Sequence, residues 1–211
     1  MKANQVKELL IKVCNMYVDN QEELNKYDTV IGDGDHGSTM ARGAKAAKLK
    51  LEELEDGSCT DYFKMYGRTL ISTLGGAIGP LFGTIFLELG RACKNKEEFD
   101  IEQLSEGIKN AETKICALGG AKVGDKTMID AISPTAKALE EVISENMDLK
   151  EGVKKALEAA ECGVKSTIPL RANKGRSKYL QDKAIGHQDA GATSFYYFIK
   201  VIADYVNDNL D

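Results

Sequence analysis

The apolar residues of this chain recur at helical spacing. Val6, Leu9, Leu10, Val13 and Tyr17 fall at three- and four-residue steps, which is one stripe of an amphipathic helix. A short turn follows at Asn20, where Asn20-x-x-Glu23 has the form of a capping box. The same periodicity predicts a second helix over 36–55, a third over 60–73 and a fourth over 81–93. The fifth starts after Asp100, a candidate cap, and carries Ile101, Leu104, Ile108, Ala111 and Ile115. The sixth runs over 127–145, with Pro134 early in it as a kink or late start, the seventh over 149–166 and the eighth over 190–206. No clear period-two run of β-branched residues competes with this reading, and the alanine content favours helix. Eight helices of roughly 14 to 20 residues with short links make an all-α, antiparallel up-down bundle or barrel.

Glycine placement adds the position of a site. Glycines cluster in four links: Gly32 to Gly37, Gly75 to Gly79, Gly119 to Gly124, and Gly175 through Gly186 to Gly191. These join helices one and two, three and four, five and six, and seven and eight. Alternate links of an up-down bundle lie at the same end, so all four are expected to converge there. The last, from Pro169 to Asp189, is a loop of about twenty residues, a length that is usually functional or disordered in a compact domain.

Bulk properties exclude several classes. The 211 residues are 43% hydrophobic, which suits one domain over residues 1–211 with one sizeable core. A net charge of −5 argues against nucleic acid as the main partner. No apolar run approaches a membrane span of about 20 residues, and the N-terminus lacks the apolar segment of a signal peptide. The cysteines (Cys14, Cys59, Cys93, Cys116, Cys162) are odd in number and widely spaced, so buried or half-buried helix thiols in a reducing cytoplasm are expected.

The strongest chemical signal is Asp28-Thr-Val-Ile-Gly-Asp33-Gly-Asp35-His36-Gly37, three carboxylates within eight residues. Like charges crowded on a glycine turn call for a cation, and carboxylate oxygens suit Mg²⁺ or Ca²⁺. An EF-hand counted from Asp33 would need glutamate where Ala44 stands, so that loop is excluded. A solvated acidic turn without metal is the plain alternative. The turn runs into a helix start, His36-Gly37-Ser38-Thr39, whose amides and hydroxyls suit phosphate oxygens. Gly119-x₄-Gly124-Asp125-Lys126-Thr127 looks like a phosphate-binding P-loop with one residue inserted. Asp125 separates glycine from lysine and no strand precedes, so the P-loop is rejected, although contact with a nucleotide stays open. Gly75-Gly-Ala-Ile-Gly-Pro80 permits close backbone approach to a ligand, and equally a tight helix turn. Arg171, Lys174, Arg176 and Lys178 form a basic group in an acidic chain: a solvated charge run, or a clamp on transferring phosphate. His36 and His187, the two histidines, both lie in glycine- and aspartate-rich links at the expected site end.

Five blocks in order, Ile31-Gly-Asp-Gly-Asp-His-Gly37, Gly75 to Thr84, Gly124-Asp-Lys-Thr-Met128, Lys174-Gly-Arg176 with Tyr179-Leu180, and Ile185 to Ser194, resemble the nucleotide-binding subunits of dihydroxyacetone kinases, the DhaL family. The resemblance covers essentially the whole chain. It implies an eight-helix antiparallel barrel with ADP or ATP at one end, in the type that depends on the phosphotransferase system. By analogy Asp28, Asp33 and Asp35 hold two Mg²⁺ bridging the nucleotide phosphates, and the amides of His36, Gly37, Ser38 and Thr39 contact those phosphates. Ala77, Ile78, Gly119 and Met128 line the nucleoside pocket, with Arg176 and the turn Asp189-Ala190-Gly191 closing over it. Ile78 stands where the family commonly has a small polar residue, and no basic residue lies beside Gly119 in Leu118-Gly-Gly120.

The resemblance further implies two partners: a subunit holding dihydroxyacetone covalently through a histidine, and a phosphohistidine carrier that rephosphorylates bound ADP in place. Arg176 is the one expected catalytic group, through charge neutralisation, and the partner supplies the general base. Two other readings remain: a subunit of an ATP-exchanging kinase for another short ketose, and a nucleotide-state module controlling a transcription regulator.

Overall fold

The computed structural model describes residues 1–210. Its described residues form nine α-helices: α1 (Ala3–Asp19), α2 (Gln21–Ile31), α3 (His36–Glu53), α4 (Cys59–Thr73), α5 (Ile78–Ala92), α6 (Ile101–Gly119), α7 (Ile129–Ser144), α8 (Leu149–Ser166) and α9 (Ala190–Asn209). Among the described residues the only β-pairing is an isolated antiparallel bridge between Lys2 and Glu98. Local chemistry sets several starts. Ser58 accepts from the Asp61 amide at the head of α4, and Asp100 and Asp148 cap α6 and α8 in the same way. Pro134 lies inside α7.

The extra element is α2. Its residues bury only Leu24 and Ile31, so the apolar stripe that marks the other helices is too thin to be legible. The expected Asn20 capping box is not made: the Asn20 amide turns back to the Met16 carbonyl at 2.8 Å and ends α1 instead. α2 does not disturb the up-down parity. Along α3, Ser38 meets Asn25 of α2 and Lys48 meets Asn15 of α1, so α1 and α2 together run antiparallel to α3.

The other eight helices close a ring. Each of α1, α3, α4, α5, α6, α7, α8 and α9 packs on the next, and α9 returns to α1, while α2 lies against α3 and α9. This ring is the all-α, eight-helix arrangement expected from periodicity, with α2 added against α3 and α9. Aromatic rings fill the interior: Tyr66 stacks on Phe86 at 4.1 Å between centroids, and Phe86 meets Phe198 edge-on at 5.1 Å. Glu88, 2% exposed, is held between Arg91 and Lys114. Cys14, Cys59 and Cys93 are buried and Cys116 is half-buried as expected, but Cys162 is exposed on the outer face of α8. No helix of the described residues is long and apolar enough to cross a membrane.

Truncating Phe86 to alanine removes a ring packed on both sides and should lower stability by about 3–5 kcal/mol, measured by urea unfolding. A loss below about 1 kcal/mol would show that the barrel centre can collapse around the gap.

Candidate functional site

The link between α2 and α3 brings its three carboxylates together. One oxygen from each of Asp28, Asp33 and Asp35 lies within 4.8 Å of the others. Asp28 stands in the last turn of α2 and is half-buried, whereas Asp33 and Asp35 are exposed in the link. The Asp28 carboxylate accepts the amide of Asp35 at 3.0 Å and that of His36 at 3.2 Å. It can reach over the link only because Gly32 has no side chain, since a Cβ there would stand 2.0 Å from Asp28 Oδ1. Gly37 acts similarly one turn on, where a Cβ would meet the Gln21 carbonyl oxygen at 2.0 Å. These two close approaches let α3 begin hard against α2.

Around this corner the helix start is already engaged. The Ser38 amide donates to Asn25 Oδ1 at 2.9 Å, and the Thr39 amide to the Asp35 carbonyl at 2.8 Å. Ser38 Oγ accepts from Asn25 at 2.9 Å and from Gln21 at 3.3 Å. His36 is buried, its Nε2 2.7 Å from Ser194 Oγ of α9 and its ring 6.1 Å from that of Phe82. Burial pushes the imidazole down to about 4, against the pull of Asp28, so His36 is neutral at pH 7. Ser194 in turn accepts the Tyr17 hydroxyl on its carbonyl at 3.0 Å.

The long link between α8 and α9 folds over the same end as a strap with two short 3₁₀ turns, Arg176–Tyr179 and Gln181–Ala184. Ala172, Ala184 and Leu180 pack on Ile31, the last residue of α2, in a small apolar cluster separate from the barrel core. Beside it the Arg176 guanidinium forms an ion pair with Asp33. Arg171 pairs with Asp182 at 3.3 Å, and the Lys178 ammonium lies 4.9 Å from the centre of the Tyr179 ring. His187 is exposed and contributes its carbonyl, not its ring, to the surrounding bonds.

The remaining residues singled out from sequence lie around this end. Ala77 is exposed and Ile78, which opens α5, is half-buried against the core. Gly119 ends α6 in open space, and Gly120 beside it lies near Lys174, a Cβ there being 3.3 Å from Lys174 Nζ. The strap thus brings a cation to Gly120, in a stretch, Leu118-Gly-Gly120, that itself carries none. Met128, buried, sits by Gly191, where a Cβ would be 3.6 Å from that of Met128. Asp189 caps α9 by accepting the Ala192 amide at 2.7 Å. Burial pushes its carboxyl up to about 7; the Ala192 amide and Lys126 oppose the shift, while Asp130 and Asp28 add to it.

Sequence reasoning did not single out Asn25, Asp125, Asp130 or the burial of Lys126. Asp130 accepts the amides of Gly124 and Thr127, at 2.6 and 2.8 Å, and Asp125 those of Lys122 and the Asn173 side chain, at 3.0 and 3.3 Å. The Gly124-Asp-Lys-Thr motif carried the signal, but with the P-loop rejected it left only contact with a nucleotide open, and nothing in residue order pointed to these internal bonds.

The donor set fits a hard divalent cation: three carboxylates, one of them oriented by two amides, converge from one corner. Comparison with known proteins agrees in family. The ADP-binding subunit DhaL of the PEP-dependent dihydroxyacetone kinase of Escherichia coli K12 is 34% identical over 96% of this chain and 97% of its own length. The DhaL subunit of dihydroxyacetone kinase 1 of Listeria innocua is 40% identical over 83% of each. The solved structure of the C. freundii dihydroxyacetone kinase in complex with AMP-PNP and Mg²⁺ shares the fold with a TM-score of 0.72 at 27% identity. That match covers 97% of this chain, which spans about a third of the kinase's length (34%). Residues 30–204 match the family described as the DAK2 domain. The chain belongs to the DAK2 domain family.

Proposed function

We propose that this chain is the nucleotide-binding subunit of a dihydroxyacetone kinase, in which Asp28, Asp33 and Asp35 hold two Mg²⁺ with ADP or ATP. The observation that carries the reading is the meeting of the three carboxylates within 4.8 Å in the link between α2 and α3, with Arg176 of the long α8–α9 link paired to one of them. The names of its relatives, ADP-binding subunits of PEP-dependent kinases, support it. When bound, the metal ions would neutralise phosphate charge and draw it onto the carboxylate corner.

The chain's own residues supply positioning. The start of α3 (His36, Gly37, Ser38, Thr39) offers the phosphates the positive end of its dipole and not the free amides expected from sequence, since those of His36, Ser38 and Thr39 are bonded to Asp28, Asn25 and Asp35. Ala77, Ile78, Gly119 and Met128 border the nucleoside, with the Asp189-Ala190-Gly191 turn closing that side. Arg176, delivered by the strap to Asp33, neutralises the charge that builds on the transferring phosphoryl group. His36 is held neutral by burial and committed to Ser194, and Asp189 caps a helix, so deprotonation of the substrate falls to the partner. That partner is a subunit carrying dihydroxyacetone. A phosphohistidine carrier of the phosphotransferase system restores ATP from the retained ADP, in the cytoplasm. Relatives named as erythrulose kinases, 32% and 29% identical, keep another short ketose open, a choice that rests with the partner subunit.

Asp33→Asn or Asp35→Asn should abolish Mg²⁺-dependent retention of ADP through dialysis while leaving the helical far-UV spectrum unchanged. Full retention in both variants would sink the metal assignment. Arg176→Met should keep ADP but lower phosphoryl transfer to dihydroxyacetone by about 10³-fold, the lower end of what an arginine clamp contributes, measured with the partner subunits present. A drop of less than about threefold would remove Arg176 from the reaction.

A further inference from the structure

Lys126 is a lysine with 1% of its surface exposed, in a loop at the edge of the barrel. Its backbone has φ 60°, a left-handed conformation that non-glycine residues adopt only against resistance. The side chain runs inward, and its Nζ donates to the Thr167 carbonyl at 2.6 Å and to the His187 carbonyl. Thr167 is the residue that ends α8, where helix geometry leaves carbonyls without partners and the helix dipole favours a cation. His187 lies two residues before Asp189, which caps α9. One ammonium therefore ties the end of α8 to the beginning of α9.

Those two points are the feet of the strap. The Gly186 amide donates to the Ile168 carbonyl at 2.8 Å and the Asp189 amide to Thr167 Oγ1 at 3.0 Å, so the neck is closed by three independent links. Of these, Lys126 alone comes from outside the strap and its flanks. It also stands two residues from Met128, and Asp125 beside it binds Asn173 of the strap through both main chain and side chain. An ammonium this buried, with two carbonyls as partners, is turned away from any phosphate at the barrel end. Its work lies in the neck.

We propose that Lys126 is a positioning residue that holds the strap's neck closed and thereby sets how long the nucleotide stays bound. The inference rests on the nucleotide-binding reading above and extends it to the difference between a retained and an exchanged nucleotide. Without the ammonium, the buried Thr167 carbonyl keeps only the Leu170 amide and the part-buried His187 carbonyl loses its donor, so the one tie from outside the strap and its flanks is gone and the feet part. The lobe carrying Arg176 then lifts as a unit, while Asp28, Asp33 and Asp35 keep their own bonds within the α2–α3 corner.

The test compares wild type with Lys126→Met and Lys126→Arg, using N-methylanthraniloyl-ADP loaded with Mg²⁺ and chased with excess ADP. The methionine variant should release the probe about tenfold faster or more, as loss of charge-assisted hydrogen bonds implies. Tryptic cleavage at Lys178 and Lys183 should accelerate alongside it, with unchanged helicity and an unchanged half-saturating Mg²⁺ concentration. The arginine variant, which keeps a charged donor, should recover most of the slow release. Equal release rates in wild type and Lys126→Met would overturn the proposal. A wild type that binds no probe would overturn the nucleotide reading itself. Should the methionine variant fail to regain its helicity, Leu180→Ala decides, because it frees the strap's lobe from Ile31 without disturbing a polar group. Faster release then supports control by strap closure, and unchanged release overturns it.

Discussion

Three carboxylates crowded into one corner repel one another, and the rest of the site depends on how the chain holds them there. The holding is done by Asp28. Its carboxylate accepts the amides of Asp35 and His36, which fixes the turn from inside and gives the first residues of α3 an acceptor they would otherwise lack. That arrangement requires an acid on the last turn of α2, a residue without a side chain at Gly32 and another at Gly37. Remove any of these and the carboxylates separate or the helices part. The charge that repels is thus also the acceptor that shapes the loop.

The corner is coupled to the barrel beneath it through a short polar and aromatic column. Tyr17 of α1 reaches the Ser194 carbonyl, Ser194 Oγ meets His36, and Phe82 lies against both Tyr17 and His36. Four helices, α1, α3, α5 and α9, therefore share one junction directly under the acidic turn. Packing in the core fixes where α3 begins, and the start of α3 fixes where the carboxylates point.

Much of this was legible from residue order. Eight of the nine helices follow from apolar periodicity, because each buries a full stripe such as Val6, Leu9, Leu10 and Val13. Loop parity then gathers the four glycine-rich links at one end without any coordinates. α2 was illegible because two buried residues do not make a stripe. The crowding of three carboxylates was legible from the acidic turn, but the acceptor role of Asp28 was not, since a carboxylate that repels its neighbours and one that caps amides look alike in sequence. Lys126 shows the same limit from the other side. Residue order rules out a P-loop lysine here but leaves contact with a nucleotide open, and only its burial reveals that its partners are carbonyls.

The small cluster of Ile31, Ala172, Ala184 and Leu180 has a thermodynamic consequence of its own. It is a second core, far smaller than that of the barrel, and Ile31 is its one residue from an α-helix. A segment with so little buried apolar surface opens at a free energy well below that of global unfolding, as a separate cooperative unit. The molecule therefore carries two stabilities, a high one for the barrel and a low one for the strap. Substitutions in the strap can tune the second across a wide range and leave the melting of the first unmoved.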